Sequence, residues 1–182
     1  MSRDTSVGKL ALGGVMTALA VVMLLLSVVP MTEYAMPALA GAMLLPVVME
    51  CGRRWAVGAY IAAALLALLL APSLEAKVLF LSFFGYYPIA KAWLESHLHG
   101  WWCWVCKFAL FNVAICASYW VMLQFFHLDP AVFDIFGVSL PPLLLLLGNV
   151  AFLMYDLLLT ALVTAYWQRL HPVFARMFGR RR

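Results

Sequence analysis

Asp156 is the side chain of this sequence with the clearest potential for chemistry, because it stands between Tyr155 and Leu157 inside a long apolar run. A charge at the centre of an isolated membrane helix costs about 2.5 to 3.5 kcal/mol, so it must find a partner or meet water. Asn149 stands two helical turns earlier and shares its face. The pair predicts one of two things: a site for a solute or cation, or a structural contact that holds two helices together.

In the structural alternative, Asp156 pairs across helices with Asn112 or with a cation such as Lys107. Both kinds of pair occur inside membrane proteins, whereas intramembrane carboxylates are also frequent functional sites. The sequence leaves the two alternatives open.

A second polar group lies where Tyr86 and Tyr87 precede Pro88, with Lys91 three residues beyond. A proline inside a helix frees the carbonyl four residues back, here that of Phe84, and kinks the helix. Broken helices often surround transporter sites, although tyrosines are also ordinary at membrane interfaces. We therefore count both tyrosines as candidate solute ligands.

A third group, His97, His99, Cys103 and Cys106, could supply imidazoles and thiolates to zinc or copper. The neighbouring tryptophans are typical of a membrane interface, where cysteines also occur as small apolar residues. We expect no metal and reduced cysteines. The sequence also lacks a Gly-rich phosphate loop, an HExxH motif and a GxSxG motif, so we expect neither an enzyme nor a cofactor, and nothing indicates nucleic-acid binding.

The elements that must carry these residues are membrane helices, because 66% of the 182 residues are hydrophobic and only 11% are charged. That composition lies far outside the range of soluble domains. We predict an all-α, polytopic membrane bundle in one integral membrane domain, residues 1–182. The first apolar run is too long for a signal peptide and is expected to stay as an uncleaved span. Six spans are predicted, at 9–29, 34–49, 55–71, 75–94, 104–126 and 141–168, before a basic tail, 169–182.

Charge fixes the expected direction of these spans. With both termini in the cytoplasm, every one of the 12 Lys and Arg residues except Lys77 falls on the cytoplasmic side. Removing the doubtful fourth span would place the C-terminal arginines outside. The sequence therefore predicts six spans in the plasma membrane.

Small residues recur on one face of the first span, at Ala11, Gly14 and Ala18. Spacings of three and four residues place them together, which allows another helix to approach closely. We predict a docking face for a helix of this chain or of a partner protein.

The segment from Lys9 to Ala20, together with the six-span plan, resembles the substrate-binding S-components of energy-coupling-factor transporters. In that family an Ala-xxx-Ala element of the first helix docks a transmembrane coupling protein; this sequence departs from it, with Gly14 and Ala18 at the matching positions. The resemblance implies a solute site near the outer side, among the last three spans, where Asn149 and Gln124 would lie.

The resemblance implies uptake of a small water-soluble solute, driven by partner ATPase subunits. The expected solute ligands are Asn112, Asn149, Tyr155, Asp156, Tyr86, Tyr87 and Gln124. Two other functions fit the same sequence. One is a scaffold for envelope assembly, in which the polar stripe only locks helices, and the other is a small stand-alone carrier, in which Asp156 binds an ion.

Overall fold

The part of the protein that the structure describes is a bundle of α-helices with one short pair of antiparallel strands. In this computed structural model the described residues are 2–29, 32–126, 134–135 and 138–169. The α-helices of this part are α1 (Ser2–Leu25), α2 (Ala35–Ala42), α3 (Leu45–Cys51), α4 (Arg53–Leu70), α5 (Leu74–Leu79), α6 (Tyr87–His97), α7 (Trp101–Phe126) and α8 (Leu140–Arg169). A 3-10 turn (Leu26–Val28) extends α1, and a π-helical segment (Phe80–Phe84) separates α5 from α6. Strands β1 (Asp134–Ile135) and β2 (Val138–Ser139) pair antiparallel.

Four stretches of the described chain are helical, long enough and apolar enough to cross a membrane: Ser6–Val28, Arg53–Leu70, Trp101–Val121 and Leu145–Gln168. Large apolar side chains point outward from them; Leu69 is 80% exposed and Met154 is 67% exposed. Such a surface is unfavourable in water and suits lipid. The predicted helical bundle is confirmed, and four of the predicted spans are continuous helices.

The segment predicted as one span at 34–49 is instead two short helices, α2 and α3. Pro46 lies in the first turn of α3, where it has no N–H to donate and its ring blocks continuation of the preceding helix. The two helices together run back along α1, since Sγ of Cys51 lies 3.9 Å from the backbone carbonyl of Lys9 near the start of α1.

The segment predicted at 75–94 is broken into α5, the π-helical segment and α6. Pro88 lies in the first turn of α6, so the predicted interruption at this proline is confirmed. Leu74 at the start of the segment lines a groove together with Leu68 of α4, whereas Trp93 near its end lines another with Trp55 of α4. The segment therefore runs antiparallel to α4.

Two apolar cores hold these elements together. In the first, alanines along one face of α4, including Ala59, Ala63 and Ala67, pack on α1, which brings the two helices close. The second core is aromatic and joins the π-helical segment and α6 to α7 and α8. At its centre Phe111 and Phe152 stack with ring centroids 4.8 Å apart.

A close backbone contact positions the broken helices. A Cβ atom on Gly41 of α2 would overlap the carbonyl group of Phe84 and would lie 3.0 Å from the hydroxyl of Tyr155. Pro88 cannot donate a hydrogen bond to that carbonyl. Only glycine lets α2 lie directly against the freed carbonyl of Phe84.

Candidate functional site

Four charged side chains meet between α6, α7 and α8. Lys91 Nζ lies 2.6 Å from Oδ1 of Asp156 and 2.8 Å from Oε1 of Glu95. Lys107 Nζ lies 3.0 Å from Oδ2 of Asp156 and 2.6 Å from the same Oε1 of Glu95. Each ammonium thus bridges both carboxylates, and the charges alternate around a closed ring. We call Lys91, Glu95, Lys107 and Asp156 the charge tetrad.

Burial makes the balance of charge in the tetrad important. The side chains of Lys91, Lys107 and Asp156 are 3%, 4% and 2% exposed, whereas Glu95 is 45% exposed. A single buried charge would be costly, but two cations with two anions cancel, and every ammonium has carboxylate partners. The tetrad is therefore a neutral unit that reaches the surface only through Glu95.

Neutral groups complete the coordination of the tetrad. The hydroxyl of Tyr87 donates to Oδ1 of Asp156 at 2.6 Å, and Lys91 donates to the hydroxyl of Thr160 at 2.9 Å. Lys107 Nζ also lies 4.9 Å from the ring centroid of Trp104. Among the described residues, no buried side-chain nitrogen or oxygen lacks a hydrogen-bond partner.

The spacing of residues in α6 explains why this helix contributes three side chains to the site. Tyr87, Lys91 and Glu95 follow one another at spacings of four and therefore lie on one face of the helix. Glu95 lies one residue beyond the predicted fourth span. Burial raises the pKa of its carboxyl, but hydrogen bonds from Lys107 and Lys91 outweigh burial and hold the pKa below its usual value.

The amides of Asn112 and Asn149 form a separate pair between α7 and α8, in which each side chain donates a hydrogen bond to the other. Asn112 Nδ2 donates to Oδ1 of Asn149 at 2.9 Å, and Asn149 Nδ2 donates to Oδ1 of Asn112 at 3.0 Å. Each amide also donates to a carbonyl of its own helix, that of Phe108 or Leu145. Asn149 and Asp156 both face α7, as the shared-face prediction requires, but their partners on α7 differ.

The other predicted solute ligands are distributed over the bundle. Tyr155 donates to the carbonyl of Ala38 at 3.2 Å, and its ring centroid lies 5.9 Å from that of Tyr87. Tyr86 points elsewhere, against the ring of Tyr60. The side chain of Gln124 lies outside the described part of the chain, as does the basic tail beyond Arg169. The tetrad and Tyr87 form one group, and the asparagines form another.

The metal candidates do not assemble into a site in the part of the chain described here. No three His, Cys, Asp or Glu side chains there lie close enough together to hold a metal ion. Nδ1 of His97 lies 2.8 Å from the hydroxyl of Ser96, and Cys103 is buried while His99 is exposed. All four cysteines are free.

The small residues of α1 line an open groove of about 620 Å³ between α1 and α4. Gly14 and Ala18 contribute from α1, and Gly58 and Ala62 contribute from α4, whereas Ala11 is exposed without lining the groove. A Cβ atom added to Gly14 or Gly58 would meet nothing within 4 Å. The groove thus has a floor of small residues and room above it.

Sequence reasoning did not name Lys91 as a partner of Asp156 or Glu95 as a partner of the two lysines, and it missed the α4 side of the groove. The four-residue spacing of Tyr87, Lys91 and Glu95 was the signal that could have identified the two α6 members of the tetrad. Comparison with protein-family models, with curated proteins and with solved structures finds no match for this chain.

Proposed function

We propose that this chain is a membrane subunit that crosses the bilayer six times and captures a small water-soluble solute for uptake by a partner ATPase module. The reversal of α2 and α3 along α1, and of α5 and α6 along α4, supports two crossings in addition to the four continuous helices. Broken spans of this kind are stable only where their free backbone groups are covered by protein, as at Gly41 and Phe84.

The orientation proposed has both termini in the cytoplasm. The distribution of basic residues supports it, because Arg53, Arg54, Lys91 and Lys107 then lie toward the same side as Lys9. A fluorescent protein that folds only in the cytoplasm should fluoresce when it is fused to either end. A dark fusion at one end would contradict the six-crossing proposal.

The groove between α1 and α4 is the observation that carries the proposed function. Helices associate in membranes through small residues that let backbones approach. Here six glycines and alanines line one open surface: Gly13, Gly14, Ala18, Gly58, Ala59 and Ala62. The hydroxyl of Thr17 donates to the carbonyl of Ala59 at 3.4 Å and holds α1 on α4 below this surface. A transmembrane helix of a coupling protein would fit along it, in the role that the first helix has in the S-components.

The proposed solute site lies toward the outer ends of α7 and α8, with Asn149 and Asn112 as its inner boundary. These amides are half-buried and bond each other. A solute with hydrogen-bonding groups could replace the reciprocal bonds by its own at little cost, because each amide keeps its bond to its own helix. The charge tetrad then acts below the site as a rigid anchor of α6, α7 and α8.

The second candidate function is a scaffold for envelope assembly. The observation that favours it is that every buried polar side-chain atom in the described part of the chain has a hydrogen-bond partner: the tetrad is closed, and the asparagine amides bond each other. A lock of this kind needs no solute. In a stand-alone carrier, by contrast, an ion could reach Asp156 only by displacing Lys91 or Lys107.

Native mass spectrometry of the protein, gently extracted from its host membrane, separates these candidates. The proposed function predicts a retained small molecule together with co-purifying ATPase subunits. A protein that carries no small molecule and is attached to envelope-assembly factors would contradict solute capture and favour the scaffold. Transport by the purified chain alone in liposomes would contradict both and favour the carrier.

A further inference from the structure

A second cavity, of about 660 Å³, opens between the start of α4 and the last turns of α6. Its polar lining comes from Arg53 and Arg54 on one side and from Ser96 and His97 on the other. No acidic residue is among the described residues that line it. The cavity therefore presents positive charge and hydrogen-bond donors, which suit an anion.

The two arginines are available for such a ligand. Arg53 and Arg54 are exposed, and among the side chains that the structure describes neither guanidinium has a hydrogen bond or an ion pair. The nearby carboxylates have other partners: Glu50 accepts a hydrogen bond from Tyr166 at 3.1 Å, and Glu95 belongs to the charge tetrad. Neither carboxylate is among the residues that line the cavity.

The backbone at the start of α4 adds to this positive charge. Gly52 precedes the helix with φ +85°, a conformation that favours glycine, and it provides no side-chain cap. The first internal hydrogen bond runs from Ala56 N to Gly52 O at 3.2 Å, which leaves the amides of residues 53–55 without helical acceptors. The helix dipole and these amides reinforce the arginines.

The remaining walls of the cavity are apolar and include Trp55, Trp93 and Ile89. Tryptophan is enriched at the level of lipid headgroups, where one side of the ring meets acyl chains. The cavity also lies at the end of the bundle that carries the start of α1, since Sγ of Cys51 in its lining is 3.9 Å from the backbone carbonyl of Lys9. In the orientation proposed above, this is the cytoplasmic end. A ligand that fits both parts of the lining has an anionic head and apolar chains.

We propose that this cavity binds the phosphate headgroup of an anionic phospholipid, with Arg53 and Arg54 on the phosphate and the acyl chains along Trp55 and Ile89. Basic pockets between membrane helices are known to select such headgroups. The proposal requires that the chain lies in a membrane, and it does not depend on the solute or on a coupling partner.

Native mass spectrometry of the purified full chain in neutral detergent, with added phosphatidylglycerol or phosphatidylcholine, tests the proposal. The wild type should retain phosphatidylglycerol preferentially, and R53Q/R54Q should lose at least about tenfold of that retention. K77Q, which removes a cation beside the opposite groove, should retain as much as the wild type. Ala92→Phe fills the cavity without removing charge and should cause the same loss as the arginine variant.

Equal retention of the two lipids by the wild type would overturn the proposal, as would unchanged phosphatidylglycerol in both R53Q/R54Q and Ala92→Phe. Displacement of phosphatidylglycerol by millimolar inorganic phosphate would also overturn it, because the ligand would then be a soluble phosphate compound. Thermal unfolding in lipid-free detergent verifies that each variant is folded. The arginine variant should be folded, because both arginine side chains are exposed.

Discussion

Lys91 Nζ of α6 lies 2.6 Å from Oδ1 of Asp156 in α8, although 65 residues separate them in the chain. The contact joins a helix that begins after a break to the longest helix of the described bundle. Lys107 of α7 completes the connection through the second oxygen, Oδ2, at 3.0 Å. The carboxylate of Asp156 therefore fixes three helices at one point inside an apolar environment.

Replacing Asp156 by Asn should be strongly destabilising. The variant keeps the shape of the side chain but leaves Lys91 and Lys107 with Glu95 as their only carboxylate partner in the tetrad. Breaking a buried pair in this way costs about 3–5 kcal/mol of unfolding free energy. Equilibrium unfolding in mixed detergent micelles measures the loss, and a loss below about 1 kcal/mol would contradict the anchoring role.

A second substitution in the same variant should restore part of that stability. In Asp156→Asn/Lys91→Met, the charges of Lys107 and Glu95 still cancel, so the double variant should lose less than the sum of the two single losses. A double-mutant cycle on the same unfolding measurement gives the coupling. Additive losses would show that the tetrad does not act as one unit.

Glu95 should make stability depend on pH. Because its pKa is lowered in the folded protein, its contribution is present above its unfolded pKa, about 4.3, and is lost as the pH falls through the folded value. Glu95→Gln removes this titration. Unfolding temperatures measured from neutral pH to about pH 3 should fall less steeply for the variant than for the wild type; equal slopes would contradict the assignment.

Gly41→Ala should impair folding, because its methyl group would overlap the Phe84 carbonyl, a backbone group that cannot move alone. We expect a loss of about 3 kcal/mol or more, in the upper range for overpacked sites. Gly14→Ala is the matched control, since its methyl group meets nothing within 4 Å. The unfolding temperatures of the two variants in detergent should differ clearly, and similar values would mean that α2 and the π-helical segment are not in contact.

Asn149→Ala should separate solute binding from helix locking. The loss of interhelical amide bonds costs about 0.6–2 kcal/mol, so the variant should remain folded. Retention of the small molecule, followed by native mass spectrometry, should fall sharply. Ser118→Ala, which removes a hydroxyl bonded only within α7 to the carbonyl of Ala114, serves as the control. Undiminished retention in Asn149→Ala would remove Asn149 from the proposed site.

The sequence predicts the continuous helices well, because their apolar runs match the thickness of a bilayer. It also identifies Asp156 as a residue that needs a partner and names Lys107 as one possibility. The choice between Lys107 and Asn112 could not be made, since it depends on the rotation and depth of α7 against α8. Lys91 was assigned to a doubtful span, and only the packing of α6 brings it to Asp156.

The prolines in the sequence predict only part of the helix breaks that the structure shows. Pro88 was recognised as an interruption, whereas Pro46 was included in a continuous span, although the same physical argument applies to both. The whole groove could not be predicted from residue spacing within one helix. Spacing identifies Gly14 and Ala18, but Gly58 and Ala62 join them only because α4 packs beside α1. Which faces stay open is a property of the assembled bundle.

The proposed function depends most strongly on docking of the partner module in the groove between α1 and α4. Gly14→Leu/Ala18→Leu fills the groove without touching the core, and Val15→Leu alters an exposed residue of the same helix outside the groove. Docking is measured by affinity purification of each variant from the host membrane, with quantification of ATPase subunits and retained solute. The groove variant should lose the ATPase subunits and keep the solute, while Val15→Leu keeps both. Undiminished ATPase subunits with the filled groove would contradict docking at this surface.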